Sequence, residues 1–209
     1  MEWLNTRTMD LQRTKNMLER GREVKIAAFG DSLTYGWMVG KGFIEFLEDM
    51  LLDKYPAAKI NMLNLGLPGG TAREGMFRLQ PQVINESPDL VMIQFALNDG
   101  LQGYTAEDFF NSMEFIVSSI KKKNQNADIL LLTSPLVYDE ALQKLAAVYY
   151  EQIVLLGQKE NIPVARVDLY WQEKINGGVN HRKLVQGDLA HPTEEGHRLM
   201  AEAVAAMFN

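Results

Sequence analysis

Five residues spread along the chain have the types that an acyl-transfer reaction requires. Ser32 lies in the stretch GDSLTYG, Gly66 in NLGLPGG, Asn98 in ALND, and Asp188 and His191 lie together in DLAHP. A serine hydroxyl becomes a good nucleophile when a base removes its proton, and histidine is the side chain best suited to that task near neutral pH. These types predict a Ser-His-Asp triad in which Ser32 attacks, His191 is the base and Asp188 orients the imidazole.

The same set supplies donors for the negative charge that develops on a carbonyl oxygen during acyl transfer. The predicted oxyanion hole consists of the backbone N–H groups of Ser32 and Gly66 and the side-chain amide of Asn98. Taken alone, Ser32 is more typical of a tight turn, in which Gly, Asp and Ser are common for local reasons. The catalytic interpretation therefore depends on the fold bringing these residues together.

Apolar runs that alternate with amphipathic stretches predict how the chain folds. Five apolar runs indicate buried parallel strands, namely VKIAAF (24–29), KINMLNL (59–65), LVMIQFA (90–96), DILLLT (128–133) and PVARVD (163–168). Longer stretches between and after them predict helices over 43–55, 71–84, 105–123, 140–160 and 192–208. This alternation predicts an α/β fold with a doubly wound parallel sheet. Ligands bind beyond the carboxyl ends of such strands, so the five residues are expected to converge at that edge.

Composition limits the classes of function. A chain of 209 residues with 46% hydrophobic and 23% charged residues, uninterrupted by any linker, predicts one globular domain over 1–209. The net charge of −6 argues against a nucleic-acid partner. The absence of cysteine excludes disulfides and thiol catalysis. The three histidines lack ligand spacing, so neither a metal nor another cofactor is expected.

The N-terminal 23 residues lack the pattern of a signal peptide, and no apolar run is long enough to span a membrane. These features predict a soluble cytoplasmic protein without a membrane span. The expected partner is a small-molecule ester substrate, and a homo-oligomer is left open.

Two other motifs, the phosphate-binding loop of nucleotide-binding proteins and the nucleophile elbow of α/β-hydrolases, are not fully matched by the sequence. GWMVGKG (36–42) has three residues instead of four between its glycines, and Gly42 stands where a phosphate-binding loop needs Ser or Thr for magnesium. The G-x-S-x-G elbow of α/β-hydrolases fails because Thr34 occupies its last glycine position.

The four blocks GDSLTYG, NLGLPGG, ALND and DLAHP, in this order, resemble those of the SGNH hydrolases, also called the GDSL lipase and esterase family. The resemblance implies a three-layer α/β/α sandwich around a five-stranded parallel sheet, flavodoxin-like in arrangement, and ester hydrolysis. It also implies that Ser32 is the nucleophile, Gly66 and Asn98 are oxyanion donors, and Asp188 and His191 complete the triad. One departure is Ala96, which stands where the family's third block usually begins with glycine and is expected to narrow the pocket.

Neighbouring polar residues are given structural roles. Asp31 is expected to turn back into the fold and organise the loop before Ser32, and Asp99 to cap the segment that follows it. His197 is expected to be a packed or surface residue of a helix, and His181 to face water.

The predicted function is a serine esterase that hydrolyses short, acetyl-like acyl esters through an acyl-enzyme, with carbohydrate O-acetyl groups as candidate substrates. The loops DGLQGYTAEDF (99–109) and LVYDEAL (136–142) mix aromatic and polar groups, which favours a carbohydrate-like alcohol over a long lipid chain. The alternatives are a lysophospholipase or acyl-thioesterase that takes longer chains, and a non-catalytic binding protein on the same fold.

Overall fold

The computed structural model describes residues 10–209. Residues 1–9 lie outside the described part; they begin the 23-residue stretch that is predicted to contain no signal peptide. Its centre is a five-stranded parallel sheet with the strand order β2-β1-β3-β4-β5. The strands are β1 (Glu23–Gly30), β2 (Lys59–Gly66), β3 (Leu90–Gln94), β4 (Asp128–Leu132) and β5 (Val164–Ala165). This order is that of the flavodoxin-like sheets, and the predicted fold class is confirmed.

Helices connect and flank the strands. They are α1 (Gln12–Glu19), α2 (Ser32–Tyr35), α3 (Phe43–Lys54), α4 (Ala72–Gln82), α5 (Leu97–Leu101), α6 (Ala106–Lys123), α7 (Glu140–Glu160), α8 (Val167–Asn176), α9 (His181–Leu184) and α10 (Glu194–Ala205). Single turns of 3-10 helix follow at Ile84–Glu86 and Ala206–Phe208. The five helices expected from the sequence correspond to α3, α4, α6, α7 and α10.

Two hydrophobic cores, one on each face of the sheet, make the three layers. On one face, Ile26 of β1 and Met92 of β3 pack with α1, α3, α8 and α10. On the other face, Phe29 of β1 and Ile93 of β3 pack with α4, α6 and α7. Side chains alternate between faces along a strand, so the apolar runs over 26–29 of β1 and 90–93 of β3 serve both cores.

The last strand is shorter than predicted. β5 ends at Ala165 and α8 begins at Val167, although the apolar run continues to position 168. Asp168 explains the change of direction, because its buried carboxylate accepts a hydrogen bond from Thr133 Oγ1 at 2.6 Å and pairs with Arg166 Nη2 at 2.6 Å. These contacts hold the first turn of α8 against the end of β4.

Within residues 10–209, no helix combines the length and the apolar content that crossing a membrane requires. The same part of the chain contains no group of three or more His, Asp or Glu side chains arranged to hold a metal ion.

Candidate active site

Ser32 is placed by the turn between β1 and α2. It is the first residue of α2 and is 7% exposed. Asp31 precedes the helix, and its carboxylate accepts the Leu33 N–H at 2.9 Å and Gln94 Nε2 at 3.2 Å. Asp31 therefore points into the fold and organises the turn, as predicted. Burial raises the pKa of Asp31 to about 6, against the opposing effect of those two hydrogen bonds and the nearby His191.

His191 and Asp188 lie in the loop between α9 and α10. His191 Nε2 is 2.9 Å from Ser32 Oγ, and His191 Nδ1 is 2.6 Å from Asp188 Oδ2. The other oxygen of Asp188 accepts the N–H groups of Ala190 and His191, each at 3.0 Å. Partial burial acts to raise the pKa of Asp188, but these N–H groups and the imidazole outweigh it and hold the pKa below its usual value. The structure thus brings the three predicted triad residues together in a continuous chain.

Gln186 fixes that loop to the rest of the site, a role that sequence reasoning missed. Its side-chain amide donates to the carbonyl of Trp37, in the segment after α2, at 2.9 Å and to the carbonyl of Pro192 at 2.8 Å. Its backbone N–H donates to the carbonyl of His191 at 2.8 Å. A single side chain therefore connects the segment after the serine to the segment that carries the histidine.

Asn98 is the second residue of α5, which follows β3. Its side-chain Nδ2 donates to the carbonyl of Gly70 at 3.1 Å, and Asn98 lines the same cavity as Ser32 and His191. An amide nitrogen carries two hydrogens, so the bond to Gly70 sets the amide orientation and leaves one donor available.

Gly66 does not occupy the predicted position at the oxyanion hole. It is the last residue of β2, paired with Gly30 of β1, and its N–H donates to Asn64 Oδ1 at 3.1 Å. It borders a surface groove beside Arg78 instead of the cavity at Ser32. A Cβ at this position would lie 2.2 Å from the Tyr35 nitrogen, so close packing against α2 explains the glycine.

The turn after Gly66 offers a different backbone donor. The Gly70 N–H donates to the Leu67 carbonyl at 2.8 Å, with Pro68 and Gly69 at the two central positions and Gly69 at φ +75°. This is the pattern of a type II turn. Among residues 10–209, the Gly69 N–H has no hydrogen-bond partner, and the Gly69 carbonyl accepts Gln102 Nε2 of the segment after α5 at 3.4 Å.

A small cavity, partly open to solvent, lies beside the serine and has a volume of about 110 Å³. Its apolar wall contains residues of α2, α5, the segment after β4, and α7, namely Leu33, Leu97, Leu101, Pro135, Val137 and Leu142. Its polar lining includes Ser134 and Tyr150 in addition to Ser32, Asn98 and His191.

Ala96 does not narrow this cavity, contrary to the sequence-based expectation. It is 0% exposed and belongs to the hydrophobic core that contains Phe29 and Phe95, and it is absent from the cavity lining. Its φ of −176° is extended backbone that any residue adopts.

Of the remaining acid and histidines near the site, Asp99 and His197 are buried and His181 is half-buried. Asp99 is 1% exposed and accepts the N–H of Ala72, so it contacts the start of α4 instead of capping the segment that follows it. His181 is packed between the rings of Tyr138 and Trp171 and does not simply face water. His197 is 1% exposed in α10, and burial lowers its pKa to about 4.

The profile of the GDSL-like lipase/acylhydrolase family matches residues 28–199. The chain belongs to this family. It is a serine hydrolase that acts on ester bonds. The resemblance found from the four sequence blocks is therefore confirmed for the family and for the class of reaction.

Individual relatives are distant but extend over most of the chain. An arylesterase of Vibrio mimicus is 26% identical over 184 residues, which cover 87% of this chain and 86% of that protein. The thioesterase 1/protease 1/lysophospholipase L1 of Escherichia coli K12 is 20% identical over 176 residues, covering 84% of this chain and 79% of that protein. An acetylxylan esterase from Geobacillus stearothermophilus shares the fold, with a TM-score of 0.79, 19% identity, and coverage of 89% of this chain and 94% of that one.

Proposed function

We propose that this esterase hydrolyses short, acetyl-like acyl esters through an acyl-enzyme on Ser32. The observation that carries the proposal is the chain of contacts from Ser32 Oγ through the His191 imidazole to Asp188, at 2.9 and 2.6 Å, beside a small cavity. Ser32 Oγ attacks the ester carbonyl carbon while its proton passes to His191 Nε2. Asp188 accepts the Nδ1–H throughout and stabilises the imidazolium.

The two halves of the reaction use the same groups in opposite directions. When the tetrahedral intermediate collapses, the bond to the alcohol oxygen breaks and His191 donates its proton to that oxygen. Water then attacks the acyl-Ser32 carbonyl and gives a proton to His191, and the carboxylic acid leaves as Ser32 regains the proton. No further reactant is needed.

The oxyanion is stabilised by the Ser32 N–H, the free hydrogen of the Asn98 amide, and a backbone N–H of the turn after β2. Gly69 is assigned this last role in place of Gly66, because the Gly66 N–H is already bonded to Asn64 Oδ1. The carbonyls of Gly69 and Gly70 accept hydrogen bonds from Gln102 and Asn98, which supports a position of the turn next to the amide.

Cavity size supports a short acyl group. A volume of about 110 Å³ is well below the roughly 300–1,000 Å³ of pockets that bury a drug-sized ligand. The acetylxylan esterase and the arylesterase among the relatives bear names that agree with small acyl or aryl groups. Solved variants of the acetylxylan esterase described as catalytic mutants replace a serine, an aspartate or a histidine, the three residue types proposed here.

The alcohol portion is assigned to an exposed aromatic pair. Tyr35 and Trp37 follow the serine and are 53% and 39% exposed, with ring centroids 6.4 Å apart. Their flat apolar faces and polar edges suit a ring-shaped alcohol such as an acetylated sugar better than a flexible lipid.

An organophosphonate probe tests the nucleophile. Intact-mass analysis should show one covalent adduct on the wild-type protein and none on Ser32→Ala. Ser134→Ala is the matched control, since Ser134 lines the same cavity and should leave the adduct intact. An adduct that survives Ser32→Ala would refute the assignment.

A series of p-nitrophenyl esters tests the acyl length. We expect kcat/KM to be highest for acetate or butyrate and to fall toward octanoate, because each added methylene gains about 0.8 kcal/mol only where it is buried. A steady rise from acetate to decanoate would favour the lysophospholipase or thioesterase alternative. Absence of turnover on all esters and acetylated saccharides would favour the non-catalytic alternative.

A further inference from the structure

Asp99 follows Asn98 directly in sequence, yet it does not line the cavity at Ser32. Its side chain is 1% exposed, and both carboxylate oxygens accept the N–H of Ala72, at 3.0 and 3.2 Å. Ala72 is the first residue of α4, so the carboxylate lies at the helix end where a negative charge is favoured.

This contact is one of three that join α5 and the residue after it, Gln102, to the segment that runs from the turn after β2 to the first residue of α4. Asn98 Nδ2 donates to the Gly70 carbonyl at 3.1 Å, and Gln102 Nε2 donates to the Gly69 carbonyl at 3.4 Å. The Asp99 contact is the only one of the three that is fully buried. The two segments therefore form a single unit that carries two of the proposed oxyanion donors.

Helix α4 does not require Asp99 as a cap. Thr71 Oγ1 accepts the Glu74 N–H at 3.2 Å, and Glu74 Oε2 accepts the Thr71 N–H at 3.1 Å, which completes a capping box. Burying a carboxylate in addition is costly unless it is well bonded. The cost is visible in the pKa of Asp99, which burial raises to about 7 against the Ala72 hydrogen bond, with Asp31 and Glu74 adding to the rise.

We propose that Asp99 is a positioning residue of the oxyanion hole, which holds the turn carrying Gly69 against the helix carrying Asn98. The proposal rests on the function proposed above. Two donors from separate segments must converge on one oxygen, and a displacement of about 1 Å at such a site costs on the order of a hundredfold in rate. A buried contact between the segments fixes their separation in a way that an exposed one does not.

Three variants separate positioning from simple helix capping. Asp99→Ala removes the contact and should lower kcat for p-nitrophenyl acetate about 10- to 100-fold, with KM changed less than about twofold. Asp99→Asn keeps an oxygen that accepts the Ala72 N–H and should retain most of kcat. Glu74→Ala is the matched control, since it breaks the capping box of the same helix, and it should leave kcat unchanged.

Hydrogen exchange supplies a readout that does not depend on ester hydrolysis. In Asp99→Ala, amide exchange should increase together in residues 67–72 and 97–102, and in Glu74→Ala it should not increase in 97–102. An unchanged kcat in Asp99→Ala, or an equal loss in Glu74→Ala, would overturn the proposal. If the wild type hydrolyses no ester, the proposed function fails, and the exchange result alone then supports or overturns the role of Asp99.

Discussion

At the scale of single residues, Asp188 does two things with its two oxygens. One accepts the backbone N–H groups that shape the loop, and the other faces His191 Nδ1. The short Asp-x-x-His spacing is therefore sufficient to place both the acid and the base. Because the two functions use different oxygens, they are separable by substitution.

Asp188→Asn should keep the loop and lose the reaction. The asparagine oxygen still accepts the two backbone N–H groups. Its amide nitrogen, however, would donate to His191 Nδ1, so the imidazole hydrogen would move to Nε2. Nε2 could then no longer accept the serine proton. We expect kcat to fall about 10³- to 10⁴-fold with little change in Tm. Asp108→Asn, which alters a carboxylate at the start of α6, is the control. Near-normal turnover would mean that His191 works without this acid.

Asn98→Ala tests the side-chain donor. Loss of one oxyanion donor should lower kcat by about two to three orders of magnitude and leave KM nearly unchanged. Asn124→Ala is a matched control. The Asn124 amide also donates to a backbone carbonyl, that of Pro88, at 2.7 Å, but it lies at the amino ends of the strands, away from the site. Similar kcat values for the two variants would remove Asn98 from the oxyanion hole.

At the scale of elements, the sequence predicted those that are long and strongly patterned. The four longer strands and the five long helices follow from apolar runs and helical periodicity. The short helices α2 and α5, with four and five residues, are too short to show a period, yet they begin at or next to Ser32 and Asn98. Asp31 and Asp99, which lie at these helices, hydrogen-bond to Gln94 and Ala72 in distant segments, and no local pattern records those contacts.

The oxyanion donor after β2 shows the same limit. The place of Gly66 in its sequence block predicts an oxyanion donor. In the structure Gly66 pairs with Gly30 in the sheet, and its N–H already donates to Asn64 Oδ1. The Pro68-Gly69 pair was a usable signal, since a type II turn leaves the N–H of its second central residue unpaired.

Ala96→Gly tests the junction between β3 and α5. Ala96 packs in the core, so we expect a loss of about 1–2 kcal/mol in the free energy of unfolding from the missing methyl and the more flexible backbone. The acyl-length profile should not change. Leu142→Ala, which enlarges the cavity wall itself, should shift the optimum toward longer esters. A shift with Ala96→Gly would restore the original expectation that position 96 sets the pocket.

At the scale of the whole molecule, the site lies where the strand order reverses between β1 and β3. The segments after these neighbouring strands leave on opposite sides, and the crevice between them receives ligands in sheets of this kind. Ser32 and Asn98 come from those two segments, while the loop with His191 comes from a distant part of the chain. The catalytic residues therefore meet only when these separate parts of the chain are folded together. The buried acids Asp31 and Asp99, which adjoin Ser32 and Asn98 in sequence, thus affect both the site and the stability of the fold.

Three buried titratable groups contribute to the pH dependence of stability, two in one direction and one in the other. Asp31 and Asp99 have an unfolded pKa of 3.8, raised by burial to about 6 and about 7 in the folded protein. Between those values the folded state holds protons that the unfolded state has lost, so their contribution to stability falls as pH rises. His197 acts in the opposite sense, because burial lowers its pKa from 6.5 to about 4 and its contribution rises over that interval.

Asp99→Asn isolates one of these contributions. Relative to wild type, the variant should gain stability as pH rises from about 4 to about 7, by roughly 1 kcal/mol for each pH unit, and the gain should level off above that range. Urea unfolding at pH 5, 6, 7 and 8 measures the difference. Gln102→Ala removes a neighbouring polar side chain but no titratable group, and it should instead run nearly parallel to wild type. If the Asp99→Asn curve also runs parallel to wild type, then Asp99 is ionised in the folded protein throughout this range, and its burial carries no pH-dependent cost.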